Sequence, residues 1–136
     1  MVSKLDNALF FQRQALNLRA HRQQVLAGNI ANADTPNYKA RDFEFETALK
    51  VAVAGRSEGM LSMTRTDTAH LNGTEAGAGA AVRLMYRTPA QDSADGNTVE
   101  MDVERAQFSE NAIRYEAGIT FITHQLRMQT AALQSS

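Results

Sequence analysis

Phe108, Ala112, Tyr115, Ile119, Ile122, Leu126, Gln129 and Leu133 follow one another in alternating steps of four and three residues. That spacing keeps one face of an α-helix largely apolar over about seven turns. No proline interrupts residues 97–134, so the pattern predicts one unbroken helix. Asp95-Gly96 marks a turn before it, and Asn97 with Glu100 three residues on predicts its N-cap and capping box. Gly118 is the weak point, costing about 1 kcal/mol relative to alanine in a helix interior. Either it admits another backbone at close range or it reflects drift.

The other end of the chain carries a second long pattern. Leu5, Leu9, Leu16, Leu26 and Ile30 share the same spacing, with Gln12, Arg19 and Gln23 at the intervening steps. Ser3 and Asp6 form a variant capping box, and the pattern predicts a helix over residues 3–32. Pro36 is expected to stop it, because the residue before a proline is pushed out of helical geometry. Between the long patterns, Phe45, Ala48, Leu49 and Ala52 predict a short helix within 42–54. Residues 72–81 are rich in glycine and alanine and predict a flexible loop. In 81–88, Val82, Leu84 and Tyr86 alternate with Arg83 and Arg87, which gives the segment some strand character.

The expected class is therefore mainly α: two long terminal helices packing as a coiled-coil-like hairpin in an assembly, around a short irregular middle with a short helix and a little β. Its segments are an N-terminal helix and Asn-rich turn (1–40), a middle (41–96) and a C-terminal helix (97–136). Helices of 30 and 38 residues would run roughly 45 and 57 Å. A compact chain of this length has a radius of gyration of only about 14 Å. Copies of the same chain, or relatives of it, are the simplest cover for the remaining apolar surface.

Composition narrows the functional classes. Formal net charge is −1, which argues against broad binding to nucleic acid or an anionic membrane. Five cations face two anions in residues 1–40, and three face five in 97–136. End-to-end pairing and two solvated faces both fit that asymmetry. There is no cysteine, hence no disulfide framework or thiolate metal site. No run approaches a membrane span. Asp6, Gln12 and Arg13 interrupt the first residues, so a chain leaving the cytoplasm is expected to do so without a cleaved signal of the secretory type.

His21, His70 and His124 have no second ligand at metal-binding spacing and are expected to be surface or packing residues. Residues 91–102 lack the alternating carboxylates of a calcium loop. Gly77-Ala78-Gly79 follows no convincing strand and opens no helix, so it is not a phosphate cradle. The expectation is a non-enzymatic protein with no cofactor.

The most specific stretch is "LAGNIANADTPNYKARDF", residues 26–43. With Leu26, Asn29, Ile30, Ala31, Asn32, Thr35, Pro36 and Tyr38, it resembles the N-terminal signature of the bacterial flagellar rod family. "GNTVEMDVERAQFSENAIRYEAGITFI", residues 96–122, is similar to that family's C-terminal segment. The Thr-Pro step, the short middle and "NTVEMDVERAQF" point to its proximal-rod branch. Asn37 occupies a place often held by glycine, and Gly118 one where a larger small residue would be unsurprising.

The resemblance implies a structural subunit of the hollow drive shaft that carries torque from the motor. It implies assembly with copies of itself and other rod proteins, and contact with FliE at the junction of rod base and MS ring. It also implies passage through the flagellar type III export apparatus to a periplasmic rod. The implied subunit interface comprises Leu5, Leu9, Leu16, Leu26, Asn29, Ile30, Asn32, Thr35, Pro36, Tyr38, Phe108, Tyr115, Ile119, Ile122, Leu126 and Leu133. On that view the amides of Asn29 and Asn32 satisfy backbone groups where the helix gives way to the turn; an ordinary C-cap is the simpler alternative. The competing functional class is a soluble helical adaptor or export chaperone gripping another protein's apolar segment.

Overall fold

The structure, a computed structural model, describes residues 2–54, 82–91 and 93–134, with the side chains of residues 2–6 and Ala8 outside the description. The flexible loop expected at 72–81, His70 and the Leu5 side chain therefore lie outside it. The order is α1 (Val2–Ala31), β1 (Arg41–Asp42), α2 (Phe45–Ala54), β2 (Met85–Tyr86) and α3 (Met101–Gln134). The chain is mainly α, with two long terminal helices.

α1 has 30 residues and α3 has 34, about 45 and 51 Å at the usual helical rise. They lie antiparallel: Asn29 meets Glu104, Gln23 meets Asn111, and Leu16 meets Gly118. Ser3 stands inside the first turn of α1, not at its cap. α1 also ends earlier than Pro36 requires. Its last helical residue is Ala31, and turns occupy 32–37. The proline therefore forbids a continuation that has already stopped.

α2 forms where its four-residue apolar pattern predicts. Glu44 supplies the carbonyl that accepts the Ala48 amide, and the Thr47 hydroxyl donates to the Glu44 carboxylate at 2.7 Å. Its inner face packs Phe45, Ala48 and Leu49, with buried Ala52, against Leu18 of α1, Phe43 and Val82. Burying Leu18 and Phe43 contributes on the order of 1.5–3 kcal/mol each. His21 stacks on Phe43 with ring centroids 5.5 Å apart, a packing histidine.

β1 and β2 pair antiparallel, Arg41 opposite Tyr86 and Asp42 opposite Met85. Val82 packs inward on the core, but the alternation does not continue beyond it. Tyr86 is 71% exposed and Leu84 is exposed, whereas Arg87 turns inward. Buried Glu104 and half-buried Asp42 draw its guanidinium in.

Candidate functional site

The C-terminal end of α1, residues 37–43, residues 85–87 and the first turns of α3 converge on one junction. Asn29 is fully buried there. Its amide donates to the Arg41 carbonyl at 2.7 Å and to Glu104 Oε2 at 3.1 Å, while its Oδ1 accepts from the Arg41 amide at 3.1 Å and the Tyr38 hydroxyl at 3.4 Å. Asn29 thus acts as a strand-like partner for Arg41, not as a cap. Asn32 does cap: its Nδ2 donates to the Gly28 carbonyl at 2.8 Å. Both amides satisfy backbone within this chain, Asn29 by reaching twelve residues onward.

Asn97 is not the cap of α3. That helix begins at Met101, and the Glu100 carbonyl accepts the Glu104 amide. Instead, the Asn97 amide faces the carbonyls of Asn32, Ala33 and Thr35 at 3.0, 2.7 and 2.9 Å, and its Oδ1 accepts from Val99 at 2.8 Å. Residues just before α3 therefore close the end of α1. The C-terminal carbonyls of a helix lack internal partners, which is why a buried amide is useful here.

Two left-handed residues complete the turn. Asn37 has φ 60° and Gly96 has φ 73°; asparagine and glycine are the types that accept this geometry. A Cβ on Gly96 would lie 2.7 Å from Asn37 Oδ1, so glycine is required there twice over. The Asn37 amide donates to the Asp95 carbonyl, Thr98 N to the Tyr38 carbonyl, and Ala40 N to Thr98 Oγ1.

Beneath this turn lies an ion-pair network. Asp42 accepts Arg22 Nε at 3.1 Å and Nη2 at 2.8 Å, Arg87 Nη2 at 2.7 Å and the Phe43 amide at 2.8 Å. Arg87 Nη1 donates to Glu104 Oε1 at 2.5 Å, and Gln107 Oε1 accepts from both arginines. Glu104 is fully buried. Burial alone pushes the Asp42 carboxyl up, but hydrogen bonds from Arg22, the Phe43 amide and Arg87 outweigh it and hold the group below its ordinary value. The Asp42 hydrogen bond in turn raises Arg22.

The seam between α1 and α3 is polar or small on the α3 side. Glu104, Asn111, Gly118 and Gln125 recur every seven residues along it. Asn111 Nδ2 donates to the Arg19 carbonyl at 2.8 Å and to Gln23 Oε1 at 2.6 Å. A Cβ on Gly118 would lie 2.9 Å from Leu16 Cδ2, so the close approach is by a side chain, not a backbone.

The apolar stripe read from the sequence is offset from this seam. Phe108 and Ile122 are half-buried along it, but Tyr115, Ile119, Leu126 and Leu133 are exposed, Ile119 by 44%. On other sides of α3, Ile113, Phe121 and Met128 are exposed as well. Ala20, Gln23, Gln24 and Ala27 of α1 form a groove of about 430 Å³ with Phe108, Ala112 and Tyr115.

The sequence-selected residues thus fall into two groups. Leu26, Asn29, Asn32 and Tyr38 belong to the junction, and Leu16 to the seam, with Leu9 and Ile30 half-buried. Thr35 and Pro36 are exposed at the turn. The sequence pattern does not mark Arg22, Asp42, Arg87, Glu104 or Asn111 as site residues, and it marks Asn97 only as a helix cap. Glu104 and Asn111 were detectable in principle, since they lie seven residues apart beside the apolar stripe. Among the described residues, no cluster of histidine and carboxylate side chains could hold a metal ion, and no helix is long and apolar enough to cross a membrane.

Comparison with known proteins gives a consistent result. Residues 9–39 match a family model described as flagella basal body rod protein. The chain is 51% identical over 136 residues to the flagellar basal body rod protein FlgB of Salmonella typhimurium, covering 98% of each. It is 47% identical over 137 residues to FlgB of Escherichia coli K12, covering 99% of each. It is 36% identical to FlgB of Buchnera aphidicola over 93% of this chain and 94% of that one.

Proposed function

The chain belongs to the FlgB family of flagellar basal body rod proteins, and from that premise we propose how its surfaces serve the rod. Its role is that of a structural subunit of the basal body rod. The reading as a soluble adaptor or export chaperone is not favoured, since relatives spanning nearly the whole chain are rod proteins.

The finer assignments rest on one observation. α3 turns its polar and small residues towards α1 and leaves Ile119, Leu126 and Leu133 uncovered. Apolar side chains lined along a helix lose contact with water when a neighbouring helix covers them, at about 25 cal/mol per Å². The exposed flank of α3 and the adjoining groove are the surfaces that meet other copies and other rod proteins. Leu16, Leu26, Asn29, Asn32 and Tyr38 serve assembly indirectly, by fixing the angle between the helices that present that flank.

Further partners follow from the family's architecture. FliE at the rod base, the flagellar type III export apparatus, placement in the periplasm, export without a cleaved signal and transmission of torque all belong to this reading. The experiment is electron microscopy of basal bodies purified from cells carrying Ile119→Asp. Truncated or absent rods, with the variant protein still exported, are the expected outcome. Full-length rods would remove the α3 flank from the interface.

A further inference from the structure

We infer that Arg87 is a positioning residue that makes closure of α3 on α1 conditional on formation of the β1–β2 hairpin. The junction encloses four charges, one of them, Glu104, completely. Asp42 and Glu104 are its anions; Arg22 and Arg87 are its cations. Arg22 donates twice to Asp42 and once to Gln107. Arg87 alone among the described residues forms ion pairs with both carboxylates.

Where Arg87 sits is fixed by the hairpin. Its amide donates to the Ala40 carbonyl at 2.9 Å, next to the Arg41–Tyr86 bridge. The guanidinium enters the junction only when residues 85–87 are in register with residues 40–42. Before that, α3 could dock only by burying Glu104 completely with the Asn29 amide as its remaining side-chain donor. The junction would then hold two anions and one cation. Removing one partner of a buried pair strands the other charge in a medium that solvates it poorly. Hairpin and helix pairing are therefore coupled through one side chain, and terminal helices set side by side without the hairpin do not close.

The inference concerns the inner seam, so it is separable from the rod reading, which concerns the outer flank of α3. The chain has no cysteine, which allows a clean reporter: Leu16→Cys with Gly118→Cys across the seam. Disulfide formation in the full chain is followed through a urea titration, and the midpoint at which cross-linking is lost is read. Arg87→Met is expected to lower that midpoint by at least about 1 M, by the linear dependence of stability on denaturant. Arg87→Met with Glu104→Gln is expected to restore most of the shift, because Arg22 and Asp42 alone are neutral. A role for Arg87 in hairpin packing only would leave the double variant as weak as the single one. An unshifted midpoint in Arg87→Met, no rescue by the second change, or no cross-linking in the reporter chain with Arg87 intact would each overturn the inference.

Discussion

The side-chain amide of Asn97 lies 2.7 Å from the Ala33 carbonyl, sixty-four residues away in sequence. A residue that reads as the start of one helix is the end-piece of the other. Asn97→Ala should therefore strand the Ala33 carbonyl, while those of Asn32 and Thr35 keep the Thr35 and Tyr38 amides, and cost about 1–3 kcal/mol. Asn97→Asp should cost at least as much, since it exchanges a donor for a carboxylate aimed at the same oxygens. Urea midpoints of the two variants, with unchanged slopes, are the check; a shift smaller in Asn97→Asp than in Asn97→Ala would contradict it.

Asn29, Asn32 and Pro36 should rank in that order. Asn29→Leu leaves the Arg41 amide and carbonyl and the buried Glu104 each short of a partner, about 3–5 kcal/mol if the losses combine. Asn32→Leu removes one bond to Gly28, worth roughly 1 kcal/mol. Pro36→Ala acts after the helix has ended and should change stability by about 0.5–1 kcal/mol, chiefly through the unfolded chain. Thermal unfolding of the three variants would reveal any other order.

Ile119 and Ile122 differ although both lie on the same stripe. Ile119 is exposed and Ile122 half-buried. Ile119→Asp should leave the stability of the chain within about 1 kcal/mol of the parent, as surface changes do. Rod assembly should nonetheless fail. Ile122→Asp should damage both, because a carboxylate without a partner there meets α1. Equal unfolding midpoints for the two aspartate variants would show that the α1–α3 seam is not as described.

Acid should loosen the junction in a defined direction. The Asp42 carboxyl is held below its ordinary value in the folded chain, against burial, chiefly by hydrogen bonds from Arg22. A depressed carboxyl contributes stability that is present above the unfolded pKa and lost as pH falls through the folded one. Stability should therefore decline below about pH 4, where free aspartate begins to protonate. Asp42→Asn should be less stable at pH 7 and show a flatter decline. A slope unchanged by the substitution would place the acid response elsewhere.

Gly118 offers a steric test. A bulky side chain there must displace Leu16, whose Cδ2 lies 2.9 Å from where its Cβ would stand. Gly118→Leu should cost about 1–3 kcal/mol by overpacking, and Leu16→Ala in the same chain should recover part of it. Failure of the pair to couple in a double-mutant cycle would separate the two residues.

The sequence was most informative where periodicity alone decides. The positions of α1, α2 and α3 follow from apolar spacing. The direction in which α3 faces was not legible. Its apolar stripe reads as a subunit interface, and the side that meets α1 is instead centred on Glu104, Asn111 and Gly118, held by hydrogen bonding and close approach, with Phe108 and Ile122 half-buried beside them. Those forces depend on what stands opposite, and the spacing of one helix carries no record of it. The same holds for Arg87: alternation in 82–87 names no partner for it, and two carboxylates from distant segments draw it in. Asn97 carried an ambiguous signal, since asparagine caps either end of a helix and only the fold selects which.

The seven-residue recurrence of Glu104, Asn111, Gly118 and Gln125 also bears on mechanics. A greasy seam lets two helices slide past each other by small increments, because one apolar contact replaces the next. Here a shift by one turn would part Glu104 from Arg87 and Asn111 from the Arg19 carbonyl, and would drive Leu16 from the gap at Gly118 into a neighbouring side chain. The pair behaves as a toothed track. Axial shear is expected to meet stepwise resistance, so that a load applied to one helix passes to the other.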